Sequence, residues 1–301
     1  QCRFSSEALR KSLIWSSDMD SPDWFWQAVD DKPDSDYIEV EEADIHYLSW
    51  NKPSPKGLLF VHGHNAHAHW WDFIAPRYKD EYHTVAIDLS GMGDSDHRDE
   101  YSADCYAQEI KAVADAAQMS SDTILVAHSF GGLMALRAMA LFPDRFKALV
   151  ILDSGVKHPD DETAREPARW SQPKVYPDLE IARSRFRLQP PQTCANEYLV
   201  KHIARHSIEP IDEGFVWKFD EELNSRMKLS GDFAADLASI KKPTTLMYGE
   251  LSASFSNKSA LHMKTIKDDL TVLELKDAQH HLFLDQPVAF MEQLDEILSG
   301  Y

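Results

Sequence analysis

The sequence predicts an α/β chain, a mostly parallel, doubly wound sheet interrupted by a helical insertion. Three observations carry this. Continuous apolar runs of β-type residues recur along the chain, helix-period stretches separate them, and the rhythm lapses between about residues 158 and 228. Runs that are apolar throughout, rather than alternating, suit strands covered on both faces. Strand and helix in alternation give a parallel sheet.

Taken in order, residues 1–35 are polar with aromatic Trp15, Trp24, Phe25 and Trp26, and read as an N-terminal extension packing loosely on the body. The stretch YIEVEEADIHYLSW alternates around an acidic turn, as a hairpin does. Buried strands are expected at Leu58–Val61, Thr84–Ile87, Thr123–Ala127, Ala148–Leu152 and Thr244–Tyr248, with helices at Ala103–Met119 and Gly131–Phe142. Residues 158–228 are rich in proline (Pro159, Pro167, Pro173, Pro177, Pro190, Pro191, Pro210) and charge, and read as short helices. The sheet pattern then resumes through DFAADLASIKKPTTLMYG and LTVLEL to a closing helix from about Gln286. The expected organisation is therefore an extension (1–35), a core (36–157 and 229–301) and an inserted helical unit (158–228).

A chain of 301 residues suits one large core, and 43% hydrophobic content can fill it. The formal charge of −19 repels phosphate backbones and anionic lipid, which disfavours nucleic-acid and membrane partners. No window approaches the roughly 18 apolar residues of a membrane span, and QCRFSSEALRKSLIW lacks the apolar centre of a signal peptide. The expectation is a cytoplasmic monomer or homodimer. Cys2, Cys105 and Cys194 form no CxxC pair, which argues against a disulfide framework or thiolate zinc site.

The most informative stretch is TILVAHSFGGLMALRAMALFP. A strand runs straight into a helix at Ser129, with Ala127 and Gly131 in the glycine positions of a G-x-S-x-G turn, which pushes the serine hydroxyl out at the carboxyl edge of a sheet. A serine hydroxyl is a poor nucleophile until a base takes its proton. In LTVLELKDAQHHLFLDQP, His280 sits on the loop after the last strand and is the expected base, with His281 as its competitor.

Together, the HG after a strand, AIDLSGMGDSD, AHSFGG, ILDSG, YGE and HHLFLDQP resemble the α/β-hydrolase superfamily in content and order, from about Asp36 to the C-terminus. The resemblance implies an α/β-hydrolase fold in which the insertion is a helical cap. It also implies Ser129 as nucleophile, His280 as general base, and an oxyanion hole from the backbone N–H groups of His64 and Phe130, the latter at a helix N-terminus. The acid departs from the family pattern, because Ser252 stands where relatives usually carry Asp. Asp153, at the end of VILDSG, and Glu250 are the two replacements. Haloalkane dehalogenases and epoxide hydrolases of this fold attack with a carboxylate, so a serine favours acyl transfer to water.

VHGHNAHAHWW places His62, His64, His67 and His69 within eight residues. His62-x-His64-x-x-His67 resembles the H-x-H-x-D-H signature of metallo-β-lactamase-type hydrolases, but Ala66 takes the place of the Asp ligand, and no metal or other cofactor is expected. His67 and His69 read as polar loop residues or pocket rim. GMGDSD lacks a P-loop lysine and reads as a turn, with Asp88 structural. Trp70 on the core and Trp217 in the insertion are candidate walls of a substrate pocket, although Trp217, with Trp170, Phe186, Phe215 and Phe219, could equally form the insertion's own core. The expected function is a carboxylesterase-type serine hydrolase for small-molecule esters of small to medium acyl length. Lipase, lactonase, C–C hydrolase, perhydrolase and ligand-binding alternatives share these residues.

Overall fold

Five apolar runs lie side by side as the centre of an eight-stranded sheet in the computed structural model, which describes residues 21–51, 54–161 and 174–301. The strands are β1 (Asp34–Val40), β2 (Ala43–Trp50), β3 (Gly57–Val61), β4 (His83–Ile87), β5 (Thr123–His128), β6 (Ala148–Leu152), β9 (Thr244–Gly249) and β10 (Thr271–Leu275), in the spatial order β1-β2-β4-β3-β5-β6-β9-β10. Every residue of β3, β4, β5, β6 and β9 is buried, which is why their sequences show no polar alternation. Burying each large aliphatic side chain contributes roughly 1.5–3 kcal/mol. β2 runs antiparallel to both β1 and β4, and the remaining pairs are parallel. The β1–β2 turn is made by Glu41 and Glu42, both at positive φ (48° and 65°), as a tight hairpin requires.

The helices follow the expected rhythm: α1 (Asp23–Asp30), α2 (Ala103–Ala116), α3 (Phe130–Leu141), α7 (Phe233–Ser239), α8 (Asn257–Ile266), α9 (Leu282–Asp285) and α10 (Pro287–Ser299). Ser102 caps α2 by accepting the Cys105 N–H at 3.1 Å, which fixes where that helix begins. Two apolar clusters form the core. One contains Leu59, Leu125 and Leu149 with α2 and α3; the other contains Phe60, Val126 and Val150 with Trp71, Phe283 and α10.

Two expectations change. α1 belongs to the stretch read as a loose extension, yet Phe25 is 2% exposed and joins the second cluster through T-shaped contacts with Trp26 and Tyr198. The segment between β6 and β9 is not helical alone. Besides α4 (Leu179–Ser184), α5 (Glu197–His206) and α6 (Leu223–Arg226), it holds a hairpin of β7 (Ile208–Ile211) and β8 (Gly214–Trp217). These strands are four residues each and mostly exposed or half-buried, so they lack the apolar runs of the main sheet. Residues 1–20, with Cys2 and Trp15, and 162–173, with Trp170, Pro167 and Pro173, lie outside the described residues. Among the described residues no helix is long and apolar enough to cross a membrane.

Candidate active site

β5 ends at His128 and α3 starts at Phe130, so Ser129 alone makes the turn between them. Its backbone sits at φ 52°, ψ −120°, a conformation that costs a non-glycine residue of order 1–3 kcal/mol. The surroundings hold it there. The Ser129 N–H donates to the Leu152 carbonyl at 2.9 Å, and Ser154 Oγ donates to the Ser129 carbonyl. The turn is tight enough to demand Gly131, where a Cβ would meet the His62 carbonyl oxygen at 2.3 Å.

On the neighbouring strand, β6 ends in a second left-handed residue, Asp153, at φ 48°. Its Oδ1 accepts the Gly249 N–H at 2.9 Å. Oδ2 accepts from His280 Nδ1 at 2.6 Å and from the Ser252 hydroxyl at 2.7 Å. On the other side of the ring, His280 Nε2 lies 2.9 Å from Ser129 Oγ. The chain thus brings Ser129, His280 and Asp153 into one continuous line of hydrogen bonds. With Nδ1–H donated to the carboxylate, Nε2 presents its lone pair to the serine hydroxyl, the arrangement a general base needs.

Glu250, the other acid considered, is exposed and accepts the Asp277 N–H at 3.0 Å, away from the imidazole. Ser252 has a different task from the one its position implies. Its hydroxyl donates to Asp153 while accepting the N–H groups of Ser254 and Phe255 at 3.1 and 3.2 Å, so it holds in place a carboxylate that comes from another strand. Gly249 lets the His280 loop come close, since a Cβ there would lie 2.4 Å from the Ala278 and Gln279 carbonyls.

His128 is a residue that the reading of the motif passed over. Its Nε2–H donates to the His280 carbonyl at 3.0 Å, tying the His280 loop to the residue before Ser129. The imidazole inside AHSFG was the available signal. Burial, with the nearby His280, pushes His128 and His281 well below the ordinary histidine range, so both are neutral supports. His281, the competing base, is wholly enclosed beside the Gln189 and Pro190 carbonyls and under Trp70, 5.3 Å between ring centres.

The histidines of VHGHNAHAHWW scatter to separate partners. His62 Nδ1–H donates to the Gly63 carbonyl at 2.7 Å and its Nε2 accepts the Leu89 N–H at 3.0 Å. His64 Nε2 meets Asn224 Oδ1 on α6 at 3.0 Å, and its ring stands edge-on to Phe130 at 5.7 Å. His67 Nε2 pairs with Ser207 Oγ at 2.8 Å. The H-x-H-x-x-H set is therefore divided among three places. His67 lies on the loop that follows β3 and is buried there, and His69 is half-buried.

Phe130 opens α3, where a helix leaves backbone N–H groups without intrahelical acceptors. Asp88 is fully buried and accepts from His46 at 2.7 Å and the Asp94 N–H at 2.9 Å. Burial alone would raise its carboxyl, but the His46 hydrogen bond and charge hold it well below the usual range. Both candidate pocket rings are engaged in packing: Trp70 against His281 and Phe283, and Trp217 against Tyr176 and Phe186 within the segment between β6 and β9.

A serine elbow at the carboxyl end of a parallel sheet, with an imidazole from the loop after its last strand, defines the architecture of the α/β-hydrolases. A family model described as "Alpha/beta hydrolase family" matches residues 58–293, and the chain belongs to that family. It is similar to epoxide hydrolase 1 of Caenorhabditis elegans, 23% identical over 89% of this chain and 71% of that protein. It is also similar to esterase Rv0045c of Mycobacterium tuberculosis, 25% identical over 86% and 88%. Among solved structures, the thioesterase domain from the curacin biosynthetic pathway superposes with a TM-score of 0.73 at 23% identity, covering 87% of this chain and 99% of that one.

Proposed function

We propose that this hydrolase-family chain is a serine hydrolase that cleaves carboxylic esters of small to medium acyl length through an acyl-enzyme. The observation that carries the proposal is the unbroken relay from Ser129 Oγ through His280 to Asp153 Oδ2. His280 Nε2 takes the hydroxyl proton as Ser129 Oγ bonds to the ester carbonyl carbon, and Asp153 stabilises the imidazolium that results. The negative charge on the former carbonyl oxygen falls to the N–H groups of His64 and Phe130, with the positive end of α3 behind the second. His280 then returns the proton to the departing alcohol. A water molecule activated by the same imidazole opens the acyl-enzyme.

Serine also argues against the chemistry named by the epoxide hydrolase relatives. Attack by a hydroxyl on an epoxide would leave an ether, which water does not open, whereas attack on an acyl carbon leaves an ester, which it does. The nucleophile identity therefore favours acyl transfer, the class to which the esterase relative's name also belongs.

The test is a panel of p-nitrophenyl esters of rising acyl length together with a fluorophosphonate probe. Turnover of short and medium esters, with stoichiometric probe adduct on Ser129 that is absent in Ser129→Ala, is the expected result. An unlabelled serine, or Ser129→Ala retaining wild-type turnover, would overturn the reading.

A further inference from the structure

A second group of imidazoles gathers about Asp72, between the loop that follows β3 and helix α5. His202 and His206 stand one helical turn apart on α5 and so share a face. His202 Nε2 reaches Asp72 Oδ2 at 2.8 Å, and His69 Nδ1 reaches the same oxygen at 2.9 Å. The rings of His69 and His206 stack with centres 3.9 Å apart. One donor atom each from His69, Asp72 and His206 lie within 4.8 Å of one another.

One detail separates this group from an ordinary polar contact. Both hydrogen bonds fall on one carboxylate oxygen, and Asp72 Oδ1, in a residue only 7% exposed, has no hydrogen-bond partner among the described residues. A buried carboxylate oxygen without a donor is costly unless a cation meets it.

We propose that His69, Asp72 and His206 form a binding site for a divalent transition ion of the zinc type, with His202 orienting the carboxylate. Two nitrogen donors and one oxygen donor suit zinc, cobalt or nickel rather than magnesium or calcium. Zinc holds such donors at about 2.0–2.2 Å, so side-chain adjustment settles the three atoms on one ion. His69 and His206 are only half-buried, which leaves a route for the ion. The ligands come from the loop that also carries His64 and from the segment between β6 and β9, so occupancy joins that segment to the core. None of these residues contacts Ser129, His280 or Asp153 in the relay, and the proposal stands apart from the esterase reading.

The experiment titrates the chelator-stripped full chain with Zn²⁺ by calorimetry and with Co²⁺ by visible absorption. One equivalent of Zn²⁺ per chain, ligand-field bands with Co²⁺ and a raised unfolding temperature are expected. His69→Gln with His206→Gln should lose the equivalent and the bands while far-ultraviolet circular dichroism stays native, and Asp72→Asn should weaken Zn²⁺ at least tenfold. No uptake by the wild type overturns the proposal. So does uptake that survives the paired substitution, or uptake lost instead in His280→Ala, which would put the ion on the His128, His280 and His281 group.

Discussion

Asp153 and Asp72 are both buried carboxylates that accept from imidazoles, yet their oxygens are partnered differently. At Asp153 both oxygens are filled, Oδ1 by the Gly249 N–H and Oδ2 by His280 and Ser252, and the imidazole's second nitrogen faces a hydroxyl. At Asp72 one oxygen carries two imidazoles and the other carries none. A complete set of partners fixes one tautomer and aims one lone pair, as the proposed proton relay requires. A deficient set leaves one oxygen open to a further donor or ion. What distinguishes the two is the atom left unsatisfied, and residue type alone does not reveal it.

The contrast is broken most severely at the serine. Ser129→Ala should lower kcat for a p-nitrophenyl ester by about 10⁴-fold or more, while the paired His69→Gln, His206→Gln chain stays within about twofold of wild type. Comparable losses in both would merge the two clusters into one function. Next in size, Asp153→Asn should cost about 10⁴-fold in kcat, because the amide favours the wrong imidazole tautomer. Glu250→Gln should change little, and steady-state kinetics on the two variants locate the acid directly.

Ser252→Ala removes one donor from Asp153 Oδ2 without touching the imidazole. A loss of about tenfold in kcat at unchanged KM is expected, with a shift in the pH–rate profile that a merely structural role would not produce. Restoration by Ser252→Thr sharpens the assignment.

The smallest effect is on stability. Burial lowers His62, His64, His67, His128 and His281, so the fold keeps them neutral while the unfolded chain protonates near 6.5. Their contribution is fully present above about pH 6.5 and is lost as pH falls towards their folded values, at most about 1.4 kcal/mol per pH unit for each ring. His69 works in the opposite sense: burial alone would lower it, but the Asp72 hydrogen bond and charge raise it. Urea midpoints measured at pH 7.5 and 5.5 should therefore fall, and a flat profile would show that the buried rings titrate as in the open chain.

Much of this was legible beforehand because it is local. Buried parallel strands advertise themselves as unbroken apolar runs, and a strand-to-helix turn on serine needs small neighbours within a few residues. Hence β3 to β6 and β9 fall on the expected runs within a residue or two, and Ser129 and His280 occupy the expected places. The β7–β8 hairpin was missed because Ile208–Ile211 contains Pro210 and faces solvent, so it carries neither an apolar run nor clean alternation. α1 was misjudged because a short aromatic helix shows no sign of what it packs against until Tyr198 on α5 arrives beside Phe25.

The sequence by itself determined the sheet, the elbow and the residue types of the relay, since each depends on neighbours in the chain and on backbone sterics. Only the tertiary structure sets Asp153, and not Glu250, against the His280 imidazole. Asp153 and His280 lie 127 residues apart, and which carboxylate meets the imidazole depends on strand register and on two left-handed turns side by side. It also decided that the histidines of VHGHNAHAHWW part company, His64 towards Asn224, His67 towards Ser207 and His69 towards Asp72, because their partners are brought there by a distant segment.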